Sequence, residues 1–137
     1  MATQSRIMPV VAFGTGIAVM GFTIGATIAS VSGESVWSTG GLFAISAVAQ
    51  TSLMHIAERY VKSADSKILS KETFAQLKAD CALRAGIIGG TVAVGGYFSG
   101  LMGPAGAMLE ATKTAWLCYT IPESLEAARE VQIWEVT

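Results

Sequence analysis

Twenty-five consecutive residues, Ile7 to Val31, carry no charge, and Gly14, Gly16, Gly21 and Gly25 punctuate them. A helix crossing a hydrocarbon core of about 30 Å needs roughly 20 predominantly apolar residues. The run therefore reads as a first membrane span, about 7–31. Further spans are expected at about 36–57, 83–102 and 105–121, separated by the turn signals Ser32-Gly33-Glu34-Ser35 and Gly103-Pro104. Only 14% of the residues are charged, against about 25% in soluble domains. Nine basic and ten acidic residues leave no basic excess for nucleic acid.

Between the second and third spans the composition changes. Residues 58–82, with Arg84 just beyond, hold Arg59, Lys62, Lys67, Lys71, Lys78, Glu58, Asp65, Glu72 and Asp80, and read as a polar linker. Ser70 is placed to cap a helix starting near Lys71, on which Phe74, Leu77 and Cys81 share a face. Near the C-terminus, Thr120-Ile121-Pro122-Glu123 has the spacing of a capping box. It predicts a separate amphipathic helix over 122–134, with Trp134 at the membrane surface. The expected fold is an all-α membrane protein of a single domain. Its four transmembrane helices form two glycine-rich hairpins, followed by a short C-terminal interfacial helix. Met1 to Met8, with Arg6 its one charge, reads as neither secretory signal nor transit peptide, so the spans are expected to direct insertion.

Lipid offers helices little hydrophobic force to associate, so close backbone approach at small residues substitutes for it. Gly14, Gly21 and Gly25 in the first span, Gly40 in the second, and Gly89, Gly96 and Gly100 in the third are the expected packing positions. Glu110 and Lys113, three residues apart in the fourth span, are expected to pair within the bilayer. His55 has no second histidine to join it as a ligand, and no nucleophile motif or phosphate-cradling loop occurs, so no enzyme, metal site or small-molecule substrate is expected. Cys81 and Cys118 are offset by about 8 residues around the Gly103-Pro104 turn, or about 12 Å of helix rise. A disulfide spans at most about 7 Å between α-carbons, so free thiols are expected.

Two segments, Gly40-Gly41-Leu42-Phe43 and Gly95-Gly96-Tyr97-Phe98-Ser99-Gly100-Leu101-Met102-Gly103-Pro104, resemble the four-span preprotein and amino-acid transporter family of mitochondria and plastids. That family includes inner-membrane translocase channel subunits and an accessory subunit of respiratory complex I. The resemblance, over roughly residues 7–121, makes Phe43, Arg59, Asp65, Arg84, Gly103 and Pro104 candidates for the family's motif positions. Translocase members are implied to use acidic residues in several spans. Here the first two spans have none, and Ala105 follows the glycine-proline turn where those members tend to have arginine.

The resemblance therefore implies a non-catalytic accessory subunit of complex I in the mitochondrial inner membrane. Such a subunit stabilises the membrane arm or supercomplex contacts, with the other subunits of that large complex and the membrane as its partners. A structural lipid such as cardiolipin is compatible with this role. A subunit of the preprotein translocase is the alternative, and a self-assembling helical-hairpin coat or pilus protein is a second. The basic linker argues that it and both termini face the matrix. The resemblance implies the intermembrane space, and the expectation follows it.

Overall fold

The computed structural model describes the backbone of residues 2–62 and 70–136 and the side chains of residues 9–62 and 70–130. Four helices make up the described residues: α1 (Ala2–Ser32), α2 (Val36–Lys62), α3 (Lys71–Phe98) and α4 (Pro104–Val136). Pro9–Ser32, Val36–Lys62 and Lys71–Phe98 are long and apolar enough to cross a membrane. Helix α1 packs mainly on α2, and α3 mainly on α4, while α2 reaches both α3 and α4.

The α1–α2 contact depends on absent side chains. A Cβ on Gly25 would stand 2.9 Å from Phe43 Cβ and 3.1 Å from Gly40 Cα, and one on Gly21 would stand 3.0 Å from Ala44 Cα. A Cβ on Gly40 would in turn come within 2.9 Å of the Phe22 ring. On α3, Gly89 leaves room for the Thr114 side chain, and Gly96 accommodates Met102 and Leu42. Gly14 and Gly100 do not belong to this set. Neither has a neighbour within 4 Å of an added Cβ.

Gly100 serves a turn instead. Its φ of +80° reverses the chain after α3, and Gly33 does the same after α1 at +72°. At the α1 end, Gly33 N donates to Ser30 O and Glu34 N to Ala29 O, a Schellman closure that satisfies two carbonyls of the last turn. The two turns meet at one end of the bundle, where the Ser38 hydroxyl donates to Leu101 O at 2.5 Å.

The other end departs from the separate surface helix read from sequence, while helix reaches into the polar linker from both sides, on the α3 side from the expected Ser70 cap. Helix α2 continues through Lys62, and α3 begins at Lys71 with the Ser70 hydroxyl accepting from Thr73 N at 3.1 Å. Helix α4 runs unbroken through Pro122, so residues 122–134 are its continuation. No capping box forms, and the Thr120 hydroxyl donates back to Leu117 O. Leu117, Ile121, Leu125 and Ala128 form one stripe on α4, packed with Ala57 and Val61 of α2 and Phe74, Cys81 and Ala85 of α3. The stripe passes straight through the proline. Its burial therefore opposes the cost of the one hydrogen bond that Pro122 removes.

Polar contacts surround this apolar cluster. Lys78 bonds Glu126 at 2.8 Å, and the Ser124 hydroxyl donates to Glu58. Lys78 and Arg129 lie 4.9 and 4.5 Å from the centroid of Phe74. The Lys78 hydrogen bond holds the exposed Glu126 carboxyl below its ordinary range, so the pair persists at neutral pH and is lost on acidification. Asp65 and the side chain of Trp134 lie outside the described residues.

Gly25→Val should lower the stability of the purified chain by about 1–3 kcal/mol, the usual cost of overpacking a closed contact. Gly14→Val, made into open space, should leave the midpoint of thermal unfolding, followed by circular dichroism in detergent, unchanged.

Candidate functional site

Thr39, Phe43, Ser46 and Gln50 recur at intervals of four, three and four residues on α2, and all four are buried. This face meets α4. Lys113 Nζ lies 3.0 Å from the Glu110 carboxylate and also donates to the Ser46 hydroxyl. The same ammonium stands 4.2 Å from the centroid of the Phe43 ring, adding a cation–π contact. Glu110 is completely buried. An unpaired ion in such a place is costly, whereas a paired and hydrogen-bonded one is tolerated.

One turn further along, the Gln50 side-chain amide joins three helices. Its Nε2 donates to Ala85 O of α3 at 3.0 Å and to Thr114 Oγ1 of α4 at 3.1 Å. Thr114 reaches this position because Gly89 on α3 has no side chain to occupy it. The close approach at Gly89 therefore forms part of the polar network. Thr39 Oγ1, Gln50 Oε1 and Glu110 Oε1 accept no hydrogen bond among the described residues.

A second polar contact closes the turn end. The Glu34 carboxylate accepts from Ala105 N at 3.0 Å and from Gly106 N at 3.1 Å, capping α4 from the turn after α1. A carboxylate there satisfies backbone donors left open at a helix start and favours the positive end of the helix dipole. Gly103 and Gly106 make the approach possible, since a Cβ on Gly103 would collide with Glu34 itself. The Gly103-Pro104 pair thus opens α4 and admits the acid that caps it.

Of the residues singled out in the sequence, the structure brings together Glu110, Lys113 and Phe43, and separately Gly21, Gly25 and Gly40. Arg59 and Arg84 are exposed and line different crevices. The cysteines are unbonded, with the Cys118 thiol donating to Ala82 O at 3.3 Å and the Cys81 thiol lying 3.9 Å from Leu53 O. Glu34, Ser46, Gln50 and Thr114 escaped the sequence reading. The helical spacing of Thr39, Ser46 and Gln50 within an otherwise apolar span was the available signal. Among the described residues, no three His, Cys, Asp or Glu side chains converge as a metal-ligand set. No protein-family model, curated protein or solved structure matches this chain.

Among the described residues of this half of the bundle, Glu34 and Lys113 join helices and Glu110 is paired with Lys113. The arrangement supplies cohesion, and its ions are committed to neighbours within the fold. Lys113→Met should destabilise the chain by about 3–5 kcal/mol by stranding Glu110, with Glu110→Leu/Lys113→Met recovering most of the loss in denaturant or thermal unfolding. Glu34→Ala should cost about 1 kcal/mol, the value of a helix cap, and should speed hydrogen exchange at the amides of Ala105 and Gly106.

Proposed function

We propose that this chain is a non-catalytic accessory subunit of mitochondrial respiratory complex I. In this reading it lies in the inner membrane, with α4 as a fourth crossing and the helices arranged as two glycine-rich hairpins. The observation that carries the reading is the complete burial of Glu110 against Lys113, with Ser46 bonded to the same ammonium. A conducting or substrate-guiding subunit needs charged groups facing a path. Here they face one another.

The outer surface supports the membrane reading. Between Pro104 and Ile121 the exposed positions of α4 are Pro104, Met108, Ala111, Thr112, Ala115, Trp116 and Tyr119, none of them charged. The two charges of that stretch point inward, so the face left over is suited to lipid or to a neighbouring subunit's span. Trp37, Phe98 and Val31 are about four-fifths exposed near the turn end, a level at which aromatic rings favour a membrane boundary. The resemblance of the Gly40–Phe43 and Gly95–Pro104 segments to the translocase-like family supports the choice of complex. The lack of acids in α1 and in the span of α2 favours the accessory subunit over the translocase.

Gently solubilised mitochondrial membranes separated on a native gel test the assignment. The chain, located by mass spectrometry, should comigrate with the high-mass NADH dehydrogenase activity. Comigration with presequence-import components, or a ladder of this chain alone, would overturn the reading.

A further inference from the structure

We propose that the crevice between the N-terminal part of α1 and the C-terminal part of α2 is a binding site for one anionic phospholipid. The two helices touch tightly at Gly21–Ala44 and Gly25–Gly40, but at Gly14 nothing lies within 4 Å of an added Cβ. The pair therefore diverges toward this end. An aromatic pair bridges the helices there, Phe13 stacked on His55 with centroids 6.0 Å apart and planes inclined at 30°. The divergence leaves a crevice of about 490 Å³, lined by Pro9, Phe13 and Gly14 on one side and Ser52, His55 and Arg59 on the other. Its size falls within the roughly 300–1,000 Å³ of ligand pockets.

The crevice has the polarity of an amphiphile. Its α1 wall is apolar and lies at the beginning of the membrane-length stretch Pro9–Ser32. Ser52, His55 and Arg59 share one face of α2, at i, i+3 and i+7, so donors run along the opposite wall toward the polar end. Arg59 and its neighbour Glu58 are the first charges on α2 after Val36, which puts the guanidinium where the apolar stretch stops. Among the described residues Glu58 forms no ion pair with it; that carboxylate turns toward α4, where it accepts from the Ser124 hydroxyl. Arg59 is exposed and, among the described residues, belongs to neither ion pair.

A guanidinium at the apolar–polar boundary, beside a serine hydroxyl and an imidazole, is complementary to a phosphate carrying acyl chains. A lipid with net negative charge fits better than a zwitterionic one, whose own ammonium competes with Arg59 for the phosphate. An acyl chain then fills the space between Phe13, Gly14 and α2 that the helices leave open.

The inference rests on the membrane reading of α1 and α2 and is independent of which complex holds the chain. The test uses the full-length chain purified in neutral detergent, with phosphatidylglycerol or phosphatidylcholine added at equal concentration and adducts counted by native mass spectrometry. Phosphatidylglycerol should be retained preferentially. Arg59→Gln should weaken its retention about tenfold, the loss of one charge-assisted hydrogen bond, while leaving thermal unfolding in lipid-free detergent unchanged. Gly14→Leu, which fills the crevice from a position with open space, should reduce retention of both lipids. Equal retention of the two lipids by the native chain, or undiminished phosphatidylglycerol binding in Arg59→Gln, would overturn the site and leave the complex assignment standing. Failure to comigrate with NADH dehydrogenase would overturn the assignment and leave the site standing.

Discussion

The pairing of Glu110 with Lys113 constrains the rest of the molecule. A fully buried carboxylate is tolerable only if an opposite charge and hydrogen-bond donors are held against it. Helix α4 supplies the ammonium three residues along, and α2 holds that ammonium in place with the accepting hydroxyl of Ser46 and the ring of Phe43. Holding α2 to α4 in this way brings Gln50 within reach of Ala85 and Thr114, which sets α3 as well. The network thus fixes which faces of three helices look inward, a choice that close packing of small residues leaves less defined in lipid.

In the membrane reading proposed above, the bundle is built for two solvents. Toward the turns, the inward face is polar and the outward face apolar, as expected where the surroundings are hydrocarbon. Toward the other end the pattern inverts. Val61, Phe74, Ile121 and Leu125 are almost completely buried, while Lys78, Glu126 and Arg129 lie around them. Hydrophobic burial operates only where water is the alternative, so the extensions of α2, α3 and α4 pack as a small soluble core. That core keeps α4 continuous through Pro122. It also explains why residues 58–62 and 71–82, on either side of the part outside the described residues, are helical.

Each close approach at a glycine has its own partner. Gly25 and Gly40 bring backbones of α1 and α2 together, Gly89 lets a threonine into the polar network, and Gly103 admits the acid that caps α4. Where no partner stands opposite, at Gly14, the helices part and the Arg59 crevice opens. In the functional reading proposed here, a rigid membrane scaffold presents apolar faces to neighbours and keeps its charges for its own cohesion.

The sequence by itself determined the number of long helices, the turns at residues 32–35 and at Gly103-Pro104, the Ser70 cap and the i, i+3 pairing of Glu110 with Lys113. These depend on neighbours within a few residues, where helical geometry is known in advance. Only the tertiary structure decided that Glu34 caps a helix 71 positions away, that Gln50 bridges to two other helices, and that residues 122–134 continue α4. In each of those cases the outcome was set by the surface packed against the residue. The Thr120–Glu123 signal was a valid local preference, and it yielded to a buried stripe whose partners lie on α2 and α3. A local pattern states what a segment can do alone, and burial against distant helices decides which of those options is realised.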